Sequence, residues 1–287
     1  MEFSLRKVGV IGAGMMGSEI ALCFAMANIE VILKDINLEL AKKGKDRSSL
    51  ALDKLIKKGH FSPEERELIL SRIAPTENDG HLKEADLIVE AVIEDSETKK
   101  SVFRNLDATC KPECIFASNT SSISITQLAT SVGSNRIGQF LGAHFFSPAS
   151  VMKLVEVIPG LETKEDTVSL MMECFHRIGK TPIRVKDVVG FVVNRLLHAM
   201  WIEANRLVEE GVASPEDIDI GCKLGLGHPI GPYGLMDLTG NDLNLKIQEI
   251  LFEAYGERFK PRPILRQKVF ANHLGRKTGR GWFDYRK

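Results

Sequence analysis

Lys7-Val-Gly-Val-Ile-Gly-Ala-Gly-Met-Met-Gly17, with the apolar run to Ala27 and then Glu30-Val-Ile-Leu-Lys-Asp35, is the stretch that decides the fold. Residues 7–11 read as a short strand, the apolar residues after Gly17 as a buried helix, and residues 30–35 as a second strand. Strand, glycine turn, helix and strand make one βαβ unit. Gly12 permits the tight turn, Gly14 lets a pyrophosphate approach the backbone, and Gly17 lets helix and strand pack closely. The helix N-terminus adds N–H groups and the positive end of its dipole, so Gly12, Gly14, Met15, Met16 and Gly17 are the candidate cofactor-binding residues of this turn. Asp35, ending the second strand, is placed to accept from a ribose 2′-hydroxyl and to repel a 2′-phosphate, which favours NAD over NADP. A glycine turn and a surface aspartate are the plainer reading of each part alone, but their order and spacing favour a dinucleotide site.

Outward from this unit the alternation continues. A charged helical stretch runs from Leu38 to Lys58, and Ser62-Pro63-Glu64-Glu65 reads as an N-cap with proline at the first helical position. Residues 85–92, 114–118 and 136–143 are short strand-like runs separated by helical ones, followed by an extended run at 153–158 and another at 182–187. Such alternation predicts a Rossmann-type, doubly wound, mainly parallel sheet covered on both faces. Beyond residue 187 the patterns are helical: Phe191 to Glu210, Pro215 to Leu224 and Leu235 to Tyr255, with a Gly/Pro-rich loop at 225–234. The predicted organisation is α/β, with a dinucleotide-binding domain over 1–187 and an all-helical domain over 188–287.

Composition excludes several function classes. The chain has 287 residues with 38 Lys plus Arg against 38 Asp plus Glu, so no overall field draws it to nucleic acid or to an anionic membrane. The five cysteines form no CxxC pair, which favours reduced thiols in a cytoplasmic setting over a disulfide framework or a metal site. Arg6 and Lys7 lead straight into a strand rather than into a signal peptide's apolar region, and no apolar run is long enough to span a bilayer. The partner expected on these grounds is a small molecule.

Leu141-Gly-Ala-His144-Phe-Phe and Lys153-Leu-Val-Glu156-Val-Ile can form an antiparallel pair about the intervening Ser147-Pro148-Ala149-Ser150 turn. If the turn centres near residue 150, His144 and Glu156 lie opposite each other, with Cβ atoms roughly 5 Å apart. Oxidising an alcohol requires a base for the hydroxyl proton, and histidine suits that task near neutral pH. Glu156 would orient the ring and stabilise the imidazolium. Taken singly, His144 also reads as a core residue and Glu156 as an exposed edge residue. Ala117-Ser-Asn-Thr-Ser121-Ser122 follows a strand at the carboxyl end, where open α/β sheets hold ligands. The same residues read equally as the N-cap of a helix over 123–132.

Gly12 to Gly17, Ser118-Asn-Thr-Ser-Ser122, His144-Phe-Phe, Met152-Lys-Leu-Val-Glu156, Gly190-Phe-Val-Val-Asn-Arg-Leu-Leu197, Gly227-His-Pro-Ile-Gly-Pro232 and Gly279-Arg-Gly-Trp-Phe283 together resemble the L-3-hydroxyacyl-CoA dehydrogenase family, and its bacterial 3-hydroxybutyryl-CoA members in particular. The resemblance spans nearly the whole chain. It implies that His144 and Glu156 are the catalytic pair, that Ser121 and Asn194 hold the substrate's 3-oxygen, and that Glu94, Lys99 and Asn119 belong to the cofactor side. It also implies that Lys54 and Lys58, four apart on one helical face, meet CoA phosphates, although a solvated charged face explains them equally. One departure is Ser147, where the family usually has Asn. The implied reaction interconverts 3-hydroxyacyl-CoA and 3-ketoacyl-CoA with NAD, as a homodimer, in fatty-acid or butyrate metabolism. A related L-gulonate-type sugar-acid dehydrogenase and a non-enzymatic, crystallin-like protein are the other readings.

Overall fold

In the computed structural model, which describes residues 5–286, the chain divides into two compact units, Met1–Val188 and Val189–Lys287. The first four residues and Lys287 of the expected domains lie outside the described residues. The first unit opens with β1 (Lys7–Ile11), α1 (Met15–Met26) and β2 (Glu30–Lys34), then α2 (Leu38–Lys57), α3 (Pro63–Ser71) and β3 (Ile73–Thr76). After β4 (Leu87–Glu90), α4 (Ser96–Thr109) and β5 (Ile115–Ser118) come two short helices, α5 (Ile125–Ala129) and α6 (Ser134–Ile137). The unit closes with β6 (Phe140–Phe145), β7 (Leu154–Pro159), α7 (Glu165–Arg177) and β8 (Thr181–Arg184).

The eight strands form one sheet in the order β3-β2-β1-β4-β5-β6-β7-β8. Strands β1 to β6 are mutually parallel, while β7 pairs antiparallel with β6 and parallel with β8. This is the expected doubly wound, mainly parallel sheet. Because β1 sends its helix to one side and is flanked by β2 and β4, the strand order reverses at β1/β4, where such sheets open a crevice beyond their carboxyl ends. Val8, Val10, Leu33, Leu87, Val89, Ile115, Ala117, Leu141 and Ala143 share one buried core with Ile20, Leu22 and Phe24 of α1 and Met171 and Phe175 of α7.

Local chemistry accounts for most element ends. Ser62 caps α3 with Pro63 in its first turn, as the sequence predicts, and Glu65 completes a reciprocal capping box. Two features of this unit depart from the sequence reading. The strand expected from residue 136 starts at Phe140, and residues 134–137 are helical instead. The reason is Arg136, whose buried guanidinium donates to the carbonyls of Cys114 (2.6 Å), Lys111 (3.1 Å) and Cys110 (3.2 Å) and pairs with Asp107, fastening the loops below β5. The strand β3 was not anticipated, since Ile-Ala-Pro-Thr is short and Pro75 donates no ladder hydrogen bond. It is an edge strand, where a proline is tolerated.

The second unit contains α8 (Val193–Glu209), α9 (Pro215–Gly225), α10 (Pro232–Thr239), α11 (Asn241–Tyr255) and α12 (Pro263–Phe270). The helix expected over 235–255 is two helices, broken at Gly240, whose φ of 102° suits glycine alone. The helix α10 begins at Pro232, inside the expected loop. Trp201, Tyr233, Met236, Leu245, Leu265 and Trp282 form this unit's main core.

Candidate active site

The glycine turn has the geometry its spacing predicts. Gly12 sits at φ 93°, and a Cβ there would lie 2.7 Å from the Ala91 carbonyl oxygen; one on Gly17 would lie 1.7 Å from the Gly12 carbonyl oxygen. At Gly14 a Cβ would meet no protein atom within 4 Å. Gly12 and Gly17 are therefore dictated by the protein's own packing, whereas the demand at Gly14 comes from outside the chain, as a pyrophosphate approach requires. No side chain caps α1 and no acidic residue stands in its first turn, so its leading N–H groups and dipole face an anion unopposed. Met15 points outward, while Met16 packs against the core and can offer a ligand only its backbone. Asp35 closes β2: its Oδ2 accepts from Ala13 N at 2.7 Å and its Oδ1 from Ile36 N at 2.7 Å. The carboxylate thus holds the turn in place, and each oxygen keeps a second acceptor site for ribose. These residues fit NAD.

His144 and Glu156 are direct register partners across β6 and β7. Antiparallel pairing converts their sequence positions into a hydrogen bond of 2.8 Å between Nδ1 and Glu156 Oε2. Glu156 has no exposed surface, because β8 covers the other side of β7, so the exposed-edge reading is ruled out. A carboxylate only accepts, so His144 Nδ1 carries the proton and Nε2 is the basic nitrogen. The Phe146 ring packs 4.6 Å from the imidazole, centroid to centroid, and limits its rotation. Ser147, the departure from the family pattern, lies exposed in the turn between β6 and β7.

The loop after β5 folds around a carboxylate. Glu94 Oε1 accepts from Thr120 Oγ1 (2.6 Å), Ser121 N (2.9 Å), Ser122 Oγ (3.0 Å), Ser122 N (3.1 Å) and Ser121 Oγ (3.3 Å). Burial pushes the Glu94 carboxyl up, but the Lys99 ammonium and these bonds outweigh it and hold the group below the ordinary carboxylate range. The helix that follows is capped at Ser124 and held by Asp187, which accepts from Ser124 Oγ, Ile125 N and Thr126 N. Residues 119–122 are thus released from the capping role. Asn119 Oδ1 accepts from Phe145 N at 2.8 Å, so the loop is tied to the residue after His144.

Lys99, expected on the cofactor side, has a side chain that is 1% exposed, and its Nζ bonds Glu90 Oε1 at 2.6 Å, with Glu94 Oε2 at 3.3 Å. This helix-start lysine is turned inward and reaches the loop after β5 through Glu94. Glu90 itself went unremarked in the sequence, since a glutamate ending a buried strand is visible only as an oddity of composition. Lys54 and Lys58 project into solvent from the end of α2 and make no ion pair among the described residues. Asn194 is the second residue of α8, half-buried, and does not cap it; the N-cap is Val192. Among the described residues no group of three or more His, Cys, Asp or Glu is arranged to hold a metal, and no helix is long and apolar enough to cross a membrane.

A dinucleotide cradle and an imidazole held by a carboxylate, both at the carboxyl edge of one doubly wound sheet, define the class: an NAD-dependent oxidoreductase. Comparison with known proteins narrows it. Residues 7–188 match the NAD binding domain of 3-hydroxyacyl-CoA dehydrogenase and residues 190–285 its C-terminal domain. The chain is 44% identical to a probable 3-hydroxybutyryl-CoA dehydrogenase of Deinococcus radiodurans, covering 97% of this chain and 100% of that one. It is 43% identical to the 3-hydroxybutyryl-CoA dehydrogenase of Clostridioides difficile, over 98% and 100%. The crystal structure of (S)-3-hydroxybutyryl-CoA dehydrogenase from Ralstonia eutropha superposes with a TM-score of 0.94 at 41% identity, covering 99% of this chain and 100% of that one. The protein belongs to the 3-hydroxyacyl-CoA dehydrogenase family.

Proposed function

We propose that this protein interconverts (S)-3-hydroxybutyryl-CoA and acetoacetyl-CoA with NAD. The observation that carries the chemistry is the hydrogen bond from His144 Nδ1 to Glu156, at 2.8 Å in a buried strand pair. The names of the relatives at 44% and 43% identity support the short acyl chain. In the oxidative direction His144 Nε2 takes the proton of the 3-hydroxyl as hydride leaves C3, and Glu156 stabilises the resulting imidazolium. Bound NAD supplies the hydride acceptor. Ser121 and Asn194 hydrogen-bond the 3-oxygen, Lys54 and Lys58 meet the CoA phosphates, and Gly12, Gly14, Met15, Met16, Gly17, Asp35, Glu94, Lys99 and Asn119 form the cofactor side. In reverse, the imidazolium returns its proton to the forming alkoxide.

The test is NADH consumption with acetoacetyl-CoA, with free acetoacetate and NADPH as parallel arms. Turnover with the CoA ester and NADH alone is expected; equal turnover of the free acid would overturn the CoA reading in favour of a sugar-acid-type enzyme. The role of the second unit, in this reading, is substrate binding and pairing into a homodimer. Sedimentation at twice 31.9 kDa is expected, and a single-chain mass at working concentration would exclude the dimer. The five free thiols, four of them buried, fit a reducing cytoplasm, and the reaction fits fatty-acid or butyrate metabolism.

A further inference from the structure

We propose that Glu90 is a positioning residue for the substrate-side loop, acting through Lys99 and Glu94 on Ser121 and Ser122. The inference rests on the proposed role of Ser121. Glu90 ends β4, one of the two strands flanking the crevice, and its side chain has no exposed surface. Its two oxygens do different things. Oε2 accepts from Ser118 Oγ at 2.6 Å, fixing the last residue of β5. Oε1 accepts from Lys99 Nζ at 2.6 Å and from Val92 N at 2.7 Å.

Lys99 in turn reaches Glu94 at 3.3 Å. One buried ammonium is therefore shared by two carboxylates, and the second of these gathers five donors from Thr120, Ser121 and Ser122. The chain of contacts runs from the sheet interior to the loop in three steps. Removing two charges from water is costly, and a buried lysine with a single carboxylate partner would be a weak stabilising device. Here the shared geometry has a positional consequence instead. Glu90 pins the ammonium on its inner side and sets how far it leans toward Glu94, whose side chain is 33% exposed at the site. Ser118 and the 120–122 loop are thereby held from both ends by one charged network.

Glu90→Gln keeps the shape and an acceptor for Ser118 but removes the charge that restrains Lys99. The expected result is faster amide exchange at Ser121 and Ser122 than in the wild type, with exchange in β1 and β2 unchanged. With it, kcat/KM for acetoacetyl-CoA should fall by roughly ten-fold or more, the scale of one misplaced charge-assisted hydrogen bond. The control is Glu90→Gln with Lys99→Met, which removes the uncompensated buried ammonium and should recover part of the thermal stability lost in Glu90→Gln. If the pair is merely structural, that double variant regains its rate with its melting temperature. If Glu90 positions the loop through Lys99, stability returns while kcat/KM and the exchange at Ser121 and Ser122 do not. Should Glu90→Gln fail to fold, the double variant decides alone. Wild-type protein that turns over no acyl-CoA would sink the functional reading, whereas unaltered exchange at Ser121 and Ser122 in the variants would sink this inference.

Discussion

A single carboxylate decides what His144 can do. With Glu156 accepting from Nδ1, the imidazole is presented with its basic nitrogen fixed, and the conservative change Glu156→Gln removes the charge but little of the volume. Stopped-flow or steady-state assays should show kcat lowered on the order of 10²-fold, with NADH affinity nearly unaltered, because the carboxylate acts on the imidazolium. Unchanged turnover would refute the role. His144→Ala should cost at least as much, on the order of 10²-fold or more. Asp35 makes a different kind of prediction, since it both anchors the Ala13 amide and closes the ribose side. Asp35→Asn should raise the NADH dissociation constant roughly ten-fold and narrow the preference over NADPH. Fluorescence titration with both nucleotides would show this, and an unchanged ratio would refute the charge argument.

At the scale of elements, two aspartates explain glycine-rich motifs that the sequence presents without a reason. Asp219 of α9 accepts from the N–H groups of Tyr233 (2.7 Å) and Gly234 (2.9 Å), capping the start of α10 from outside. A Cβ on Gly231 would lie 2.2 Å from Asp219 Cγ, so the Gly-Pro start of α10 is required by a residue twelve positions earlier. Asp237 does the same for the last turn of the chain: Trp282 N and Phe283 N donate to it at 2.9 and 3.0 Å, and a Cβ on Gly281 would lie 1.9 Å from its Oδ1. Gly231→Ala should therefore displace a buried carboxylate from its donors and lower stability by about 2–4 kcal/mol, read from the denaturation midpoint. Gly221→Ala, where a Cβ meets nothing, is the matched control and should leave the midpoint unchanged or slightly raised.

For the molecule as a whole, stability should be lost on the acid side in two stages. His198 in α8 is buried against Trp201, and burial pushes its pKa down to about 3 from an ordinary 6.5. The unfolded chain binds that proton below about pH 6.5 and the folded one does not, so stability declines as pH falls from 6.5 toward 3. The carboxyls of Asp86 and Glu94 are also shifted down, from their own lower starting range. Burial raises each, but Lys111 and the amides of Arg6 and Lys7 for Asp86, and Lys99 and the 120–122 loop for Glu94, leave both lowered. Their contribution is present above the ordinary carboxylate range and is lost as pH falls through the depressed values. Melting temperature measured from pH 7.5 to 5 should fall in the wild type, and His198→Phe should flatten that limb. An equally steep limb in the variant would exclude His198 as its source.

The sheet and the cofactor turn are legible in the chain because they are local. Gly12 to Gly17, the strand alternation and the N-cap at Ser62 each follow from residues within a few positions of one another, where sterics and hydrogen-bond geometry act directly. The His144–Glu156 pair is legible for a related reason: a short antiparallel connection turns sequence spacing into register. Glu90, the inward turn of Lys99, the buried Arg136 and the Asp219 and Asp237 caps were not legible, because each depends on partners nine to forty-six positions away that only the folded chain brings together. A buried charge carries no periodic signature, and its partner is chosen by three-dimensional proximity in a medium of low dielectric, so the fold alone could assign it.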